Sequence, residues 1–489
     1  MDFSGITVLG LGPGDPGLLT RQAWQVLESS PEVYMRTRMH PVVDHLPESL
    51  RPEGRRIYSF DDLYEASQTF DEVYQTIVER VLELGRRPQG VVYAVPGHPY
   101  VAEATCSEII RRAQAENLPV RVVEGMSFLE PVMTALGIDP YPRLALVDAL
   151  ELVVSHVPSF PTSYPALIAQ IHSAAVAADL KLTLTSLYPD EHPVKLVHAA
   201  GTAQQRVENL ALYEIDRSPH IGLLTALYLP PLEANSSFEA FLEVVAHLRA
   251  PDGCPWDREQ THLTLRADLL EETYEALAAL DAGDPQGLRE ELGDLLLLIL
   301  LHTQIASDDG EFTIADVLRG VHTKIVHRHP HVFGDVMAAD AGTVLKNWEI
   351  LKAEERASQG KSEASLLAGV SLALPALLQA EQYQKRAHHV GFDWSDVQGV
   401  RAKLEEELHE VDAAVGQAEQ SAEIGDLLFA VVNLARWFHL DAESALREAN
   451  ARFYKRFSSI EAAARLQGRA VSDLSLDEME ALWQQAKKV

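Results

Sequence analysis

Cysteine is almost absent from this chain. Its 489 residues include two, Cys106 and Cys254, which lie far apart and have no C-x-x-C partner. A disulfide framework or a zinc site is therefore not expected. So few cysteines are typical of a protein that folds in a reducing compartment, and we expect a cytoplasmic location.

The chain also lacks a long apolar run. The longest, Leu295–Leu301, is bounded by Asp294 and His302 and falls far short of the ~20 residues that a membrane-spanning helix needs. The N-terminal segment MDFSGITVLGLG has no basic region, which indicates a first strand rather than a signal peptide. We expect no association with a membrane.

Positive charge is scarce as well. Lys and Arg number 41 against 72 Asp and Glu, for a formal net charge of -31. Such a surface repels phosphate backbones, so we expect no nucleic-acid partner. A small anionic substrate would need metal ions to overcome the same field.

The first 230 residues alternate short strand-like runs with helix-like segments, which predicts an α/β domain with mostly parallel strands. The linker-like segment PPLEANSS (230–237) follows it. The runs predicted as strands are ITVLGLG, GVVYAVPG, PVRVVEG, LKLTLTSLYP, RVENLALYEI and HIGLLTALYLPPL.

From residue 238 the pattern is helical throughout, and it repeats. LLEETYEAL recurs as KLEEELHEV, EELGDLLLLIL as AEIGDLLFAVV, and KIVHR as RFYKR, in the same order. An ordered repeat of this kind predicts tandem copies of one helical unit. We expect a first unit at 238–340, a helical connector at 341–380 and a second unit at 381–489.

Each copy carries carboxylates at helical spacing. Residues three or four apart share a helix face, so Glu271 and Glu275 stack beside Glu272, and Glu291 faces the same way as Asp294. If two antiparallel helices bring these groups together, they repel one another unless a cation binds. Oxygen ligands without His or Cys suit Mg²⁺, with Mn²⁺ as the alternative. A solvated acidic face explains the same residues without a metal.

The two copies resemble the MazG nucleoside triphosphate pyrophosphohydrolases, whose signature is Glu-Glu-x-x-Glu followed by Glu-x-x-Asp. The chain also contains GCPWDREQTH, RHPHVFGD, NWEILKAEER, QKRAHHVGFDW and ANARFYKRF, as that family does. The matching carboxylates are Glu271, Glu272, Glu275, Glu291 and Asp294 in the first copy, and Glu406, Glu407, Glu410, Glu423 and Asp426 in the second.

This resemblance implies an all-α fold of helical bundles that hydrolyses a nucleoside triphosphate to the monophosphate and diphosphate, a role in house-cleaning of the nucleotide pool, and a homodimer. It implies that both carboxylate sets bind metal and that the second set is catalytic. The substrate residues it implies are Lys385, Arg386, Asn450, Arg452 and Arg456, with Trp348 either stacking on a base or packing. Two positions depart from the family: Arg452 replaces a usual Lys, and Ala422 a common Glu.

The N-terminal part resembles the tetrapyrrole methylases, which use S-adenosylmethionine. GLGPGDPGLLT looks like their first loop, VPGHPYVAEAT their second and VVEGMSFLEPVMTALGID their third, although the usual Gly-Asp-Pro is here Gly97-His98-Pro99. The PGHP form occurs in fusions of this domain to MazG, of the YabN type, and the whole chain looks like one. The cofactor-binding residues implied are Gly10, Gly12, Pro13, Gly14, Asp15, Pro96, Gly97, His98 and Pro99.

Three functions stay open at this level. The first is a Mg²⁺-dependent nucleoside triphosphate pyrophosphohydrolase fused to a methylase-like domain. The second is an S-adenosylmethionine-dependent methyltransferase with a regulatory helical part. The third is a nucleotide-sensing scaffold whose carboxylates bind metal without turnover. The sequence names neither the preferred nucleotide nor a methyl acceptor.

Overall fold

A computed structural model describes residues 4–46, 56–66, 69–337, 340–358 and 365–487. The chain divides into two compact units, Met1–Val244 and Val245–Val489. The expected connector, 341–380, includes residues 359–364, which lie outside the described part. The domain boundaries expected from the sequence stay predictions.

The first unit begins with a parallel sheet in the order β3-β2-β4-β1-β5. Ile6 and Val8 of β1 pack against helices on one face, and Leu9 packs against helices on the other. The strands β1–β5 are Ile6–Gly10, Glu32–Met35, Arg56–Ser59, Val91–Val95 and Val120–Val123. The helices α1–α6 are Arg21–Ser29, Pro41–His45, Asp61–Ala66, Phe70–Gly85, Ala104–Ala115 and Leu129–Leu136.

A second sheet in the same unit has the order β6-β7-β10-β8-β9. Here β6 pairs parallel with β7, whereas β10 runs antiparallel to β7 and β8, and β8 runs antiparallel to β9. The predicted α/β class is therefore confirmed, and the unit has two lobes, with parallel pairing throughout the described part of the first sheet and mixed pairing in the second. The elements are β6 (Ala145–Asp148), α7 (Ala149–Leu152), β7 (Ala166–Ala169), α8 (Ala174–Leu184), β8 (Pro193–His198), β9 (Arg206–Ala211) and β10 (Thr225–Leu229).

One predicted strand is wrong. The run LKLTLTSLYP (180–189) begins inside α8, which continues to Leu184. The helix starts at Ser173, whose hydroxyl accepts from the Val176 amide, and an alanine-rich stretch follows it. Leu180 and Leu184 are buried in the core of this lobe on helical spacing. The alternation of Leu and Thr is by itself typical of a strand. The helix that begins before it nevertheless continues to Leu184.

After β10 the described chain is helical, which confirms the all-α class of the C-terminal part. Helix α9 (Phe238–Arg249) crosses the boundary between the units. The first helical copy then contains α10 (Pro255–Glu259), α11 (Arg266–Ala282), α12 (Pro285–Asp308), α13 (Ile314–Arg328), α14 (Pro330–Phe333) and α15 (Ala341–Ser358). The second copy contains α16 (Ala376–His389), α17 (Val397–Ala413), α18 (Gln417–Trp437), α19 (Ala442–Leu466) and α20 (Leu476–Ala486).

The Leu-rich helix α12 is covered on one side. Leu298 and Leu301 are buried, whereas Leu292, Leu296 and Ile299 are 54%, 36% and 47% exposed. These three residues recur at i, i+4 and i+7, so they form one apolar stripe on the helix surface. Despite its leucines, α12 does not qualify as a membrane-spanning helix, and neither does any other helix in the described residues.

Candidate functional site

The carboxylates of the second copy meet where α17 packs against α18. The Asp396 side chain caps the start of α17 by accepting from the amides of Gln398 and Gly399, at 2.9 and 3.1 Å. One carboxylate oxygen from each of Glu407, Glu410 and Glu423 lies within 4.8 Å of the others. Two helices thus place three acidic groups at one point.

This cluster is unfavourable while its groups are ionised and no cation is bound. Partial desolvation and the charges of Glu410 and Asp426 raise the pKa of Glu423. Glu407 is 5% exposed, and its Oε2 atom is buried and has no hydrogen-bond partner within the described part of the chain. Converging hard oxygens with an unsatisfied buried acceptor fit a divalent cation such as Mg²⁺.

Lys403 is the local counter-charge. Its Nζ atom lies 2.7 Å from Glu407 and 3.0 Å from Glu406. The bond to Glu407 is the main cause of a raised pKa at Lys403. Glu406 itself is exposed and lies outside the three-carboxylate cluster, although the sequence pattern had grouped it with the ligands.

The first copy repeats the cluster with Glu272, Glu275 and Glu291. Desolvation, together with the nearby carboxylates, raises the pKa of Glu272 and of Glu291. Glu271 is exposed and outside the cluster, while Asp294 contributes through its charge on Glu272. Four residues before Glu272 stands Asp268, where the second copy has Lys403 before Glu407. The first cluster therefore lacks the positive charge that the second one has at this position.

A cavity of about 390 Å³ opens beside the second cluster. Its walls combine apolar rings with polar groups from α16, α17 and α18. The aromatic residues are Tyr383, Phe392, Trp394 and Phe429, and the polar ones include Gln384, Lys403, Glu407, Asp426, Asn433 and Arg436. An apolar wall with aromatic rings next to converging carboxylates can hold an aromatic ring of a ligand while its charged groups lie at the other end.

One polar network stiffens the wall of this cavity. The Arg436 guanidinium donates to both oxygens of Asp393, at 2.7 and 2.8 Å, and to Oδ1 of Asn433. Burial alone would raise the pKa of Asp393, but the bonds from Arg436 and from the Trp394 amide hold it below its ordinary value. Sequence reasoning missed Asn433 and Arg436; the quoted motif QKRAHHVGFDW already contained Gln384, Asp393 and Trp394.

The residues expected to bind substrate have partners of their own in the described structure, and their role in binding substrate stays a prediction. Lys385 pairs with Glu381, and Arg386 donates to the carbonyls of Leu366 and Ala368. Arg452 pairs with Glu448, at 3.1 Å.

The three other predicted substrate residues are Asn450, Arg456 and Trp348. Asn450 is exposed on α19, and Arg456 lies over the ring of Trp483. Trp348 lies between the cations of Arg328 and Lys352, at 5.4 and 4.6 Å from its ring centre. Its rings are therefore already in contact with side chains of the same chain, which favours packing over base stacking.

In the first unit, the glycine loops predicted to bind a cofactor do come together. The amide of Gly97 donates to the Gly12 carbonyl at 2.8 Å, and the Gly12 amide donates back at 3.2 Å. A Cβ on Gly10 would lie 2.5 Å from the Gly125 nitrogen and 2.7 Å from the Gly97 oxygen. Only glycine lets these strand ends approach so closely.

The remaining predicted loop residues lie around this contact. Pro13, Gly14 and Pro99 are buried, and Pro96 and His98 are half-buried. Asp15 is exposed, and its amide donates to the Gly201 carbonyl of the second lobe at 3.1 Å. The loops thus form one backbone-lined surface at the carboxyl ends of parallel strands, where α/β sheets commonly bind ligands.

His40 is a residue of this region that sequence reasoning missed. It is buried, it hydrogen-bonds the Gly12 backbone, and burial lowers its pKa to about 4. The imidazole is therefore neutral at pH 7, and its hydrogen bond to Gly12 helps to fix the backbone of the first loop. An isolated His before a Pro has no sequence signal for such a role.

Similarity to known proteins covers both units. Residues 5–216 match the model of the tetrapyrrole (corrin/porphyrin) methylases, and residues 260–333 match that of the MazG nucleotide pyrophosphohydrolase domain. The second match falls on the first helical copy. The crystal structure of the methyltransferase CobJ aligns with 47% of this chain and 95% of its own, at 16% identity and a TM-score of 0.36.

Two relatives match this chain over nearly their own full lengths. The chain is 41% identical to the uncharacterized protein YabN of Bacillus subtilis, covering 99% of this chain and 98% of that protein. It is 42% identical to the nucleoside triphosphate pyrophosphohydrolase/pyrophosphatase MazG of Thermotoga maritima, covering 52% of this chain and 97% of that one. Both resemblances seen in the sequence are thereby confirmed. The chain belongs to the family in which a tetrapyrrole methylase domain is followed by a MazG nucleotide pyrophosphohydrolase domain.

Proposed function

We propose that this chain is a Mg²⁺-dependent hydrolase that converts nucleoside triphosphates to monophosphates and diphosphate. The observation that carries the proposal is the convergence of Glu407, Glu410 and Glu423 beside a cavity with aromatic walls. The relative from Thermotoga maritima bears this activity in its name. A role in removing unwanted nucleotides from the cytoplasmic pool fits the same chemistry.

The carboxylate side chains would have two roles, binding the cation and activating the water. Glu407, Glu410 and Glu423 would hold the cation, with Asp426 beside them on the cavity wall. When bound, Mg²⁺ neutralises the charge that develops on the triphosphate during hydrolysis. A carboxylate at the edge of the cluster orients the attacking water and accepts its proton.

The second copy is the better candidate for turnover. Its cluster borders the cavity, and Lys403 compensates part of its negative charge. Asp268 occupies the corresponding position of the first copy and adds to the negative charge instead. We therefore assign a structural or regulatory metal site to Glu272, Glu275 and Glu291.

The phosphate-binding cations would come from a second copy of the chain. Arg452 pairs with Glu448 and Arg456 lies over the ring of Trp483, and among the described residues neither forms an ion pair with the three-carboxylate cluster of its own chain. Helix α12 exposes the stripe Leu292, Leu296 and Ile299. Pairing of helical copies across a homodimer would cover this stripe, as helical bundles require. It would also bring basic side chains of one protomer towards the carboxylates of the other.

The first unit is proposed to bind S-adenosylmethionine at the joined loops Gly10–Asp15 and Pro96–Pro99. Backbone amides and carbonyls line this surface, and the close approach of Gly10, Gly97 and Gly125 leaves no side chain between strand ends and ligand. Cofactor binding here is compatible with hydrolysis in the other unit. Methyl transfer as the main activity would also need a binding site for the substrate that accepts the methyl group.

Product analysis tests the proposal. Purified chain is incubated with each common nucleoside triphosphate and Mg²⁺, and the products are identified by ³¹P NMR. Monophosphate and diphosphate are expected; diphosphate must not form with the Glu423→Gln variant, while Glu405→Gln, an exposed change on α17, serves as the control. Metal binding without any hydrolysis would favour the scaffold function. Methyl transfer without hydrolysis would favour the methyltransferase.

A further inference from the structure

Gln384 of α16 has an unsatisfied hydrogen-bond acceptor in a buried position. The residue is 7% exposed, and its Nε2 donates to the Phe429 carbonyl at 2.8 Å. Because that carbonyl can only accept, the amide cannot be turned around. The Oε1 atom is buried and has no partner among the described residues. An unmade bond of this kind is costly, which points to a ligand that donates to it.

The acceptor lies in the cavity beside the carboxylates. Gln384 lines the same cavity as Glu407 and Asp426, and it meets α18 at Phe429. From Asp426 to Asn433 is seven residues, roughly 10 Å along the helix axis at 1.5 Å per residue. A nucleotide whose phosphates lie at the carboxylates would therefore present its base to the region between Phe429 and Asn433.

The other polar groups of this region act as donors. Oδ1 of Asn433 already accepts from Arg436, so the amide nitrogen is what Asn433 can offer a ligand. Arg436 lines the cavity too and can only donate. The oxygens of Asp393 accept from Arg436 and from the Trp394 amide. In this region Gln384 thus offers an acceptor, while Asn433 and Arg436 offer donors.

This set complements the edge of uracil or thymine, where a ring N–H lies between two carbonyl oxygens. Cytosine has an amino group and an unprotonated ring nitrogen instead. Its amino group would face a protein donor, and its ring nitrogen has no hydrogen to donate to Gln384. We infer that Gln384 is a specificity-determining residue that accepts the ring N–H of a uracil or thymine base. The inference rests on the proposed hydrolysis of nucleoside triphosphates.

The test compares kcat/KM for UTP, CTP and N3-methyl-UTP, with Mg²⁺, on the full chain. The wild type should prefer UTP over both others by at least about tenfold, the scale of one unmade buried hydrogen bond. Gln384→Met should bring the UTP:CTP ratio close to one. Gln382→Met, two residues away on the same helix and outside the cavity lining, should keep the wild-type ratio.

A second variant, Asn433→Asp, tests the same inference in case Gln384→Met does not fold. Asn433→Asp keeps the acceptor for Arg436 but replaces the amide donor by a carboxylate, so the UTP:CTP ratio should fall below that of the wild type. An unchanged ratio in both variants, or a wild type that accepts N3-methyl-UTP as well as UTP, overturns the assignment of Gln384 while leaving hydrolysis intact. Failure of the wild type to hydrolyse any triphosphate overturns the proposed function and this inference with it.

Discussion

Lys403 and Glu407 form an ion pair across one turn of α17, with 2.7 Å between Nζ and Oε1. The Glu407 side chain is 6% exposed, whereas the Lys403 side chain is 36% exposed. Lys403 thus compensates the charge of Glu407, a proposed metal ligand, from the solvent side. Burying Glu407 among Glu410 and Glu423 without this lysine would leave three converging negative charges with no cation.

Lys403→Met should destabilise the metal-free protein. The nearly buried Glu407 would lose its partner, at a cost of about 1–2 kcal/mol once the solvent exposure of the lysine is discounted. Differential scanning calorimetry should show a lower Tm for the Mg²⁺-sensitive transition, and saturating Mg²⁺ should restore most of the loss. Arg319→Met, which removes an exposed ion pair with Asp316, should shift the Tm little. A Lys403→Met protein as stable as the wild type without metal would contradict this role.

The stability of the metal-free protein should depend on pH through Glu423. Because its folded pKa is raised above the ordinary 4.5, its contribution is fully present below about pH 4.5 and is lost as the pH rises through the folded pKa. Glu423→Gln removes this loss of stability. The Tm of the variant should therefore lie above that of the wild type at pH 7, and the difference should be smaller at pH 4. Glu405→Gln should show no such trend. Saturating Mg²⁺ should abolish or reverse the advantage at pH 7.

The carboxylate clusters could be predicted from the sequence because their spacing is local. Glu407 and Glu410 lie three residues apart on one helix, and the second helix follows directly in the chain. The cavity could not be predicted in the same way. Gln384 and Asn433 are separated by 49 positions, and a single polar residue on an amphipathic helix does not reveal which neighbour it meets.

Two expectations illustrate the limits of local patterns. The spacing of Arg452 and Arg456 indicated a phosphate site; in the described structure they contact Glu448 and Trp483, and their role in binding phosphate stays a prediction. The Leu and Thr alternation after residue 180 indicated a strand, but the capped helix α8 runs through it. The preceding helix decided the second case, whereas the pair of Glu448 and Arg452 is a local contact between residues four apart on α19.

Gly10→Ala should abolish binding of S-adenosylmethionine to the first unit. The added Cβ would lie 2.5 and 2.7 Å from backbone atoms of Gly125 and Gly97, so the strand ends must separate and the loop surface must change. Isothermal titration calorimetry of the full chain measures this. Gly222→Ala, where a Cβ meets no atom within 4 Å, is the matched control. Flat traces for the wild type at near-millimolar ligand would count against the site, and hydrolysis of triphosphates should be unaffected by either change.

The exposed stripe of α12 predicts a homodimer. Light scattering at micromolar concentration should give about twice the chain mass of 54.0 kDa. Ile299→Glu places a charge in the stripe and should yield monomers with reduced hydrolysis. Met337→Glu, at a position 92% exposed on the surface, should leave the mass unchanged. A wild type that is monomeric and fully active would rule out basic groups supplied by a partner.

The assignment of hydrolysis to the second helical copy is tested most directly by kcat in matched variants of the two copies. Glu407→Gln and Asp426→Asn remove charge beside the cavity, and Glu272→Gln and Asp294→Asn make the same changes in the first copy. With the best triphosphate and saturating Mg²⁺, kcat should fall on the order of 100-fold or more in the second-copy variants, as loss of a metal ligand implies. The first-copy variants should retain most of the activity. Inactive first-copy variants beside active second-copy variants would contradict the account.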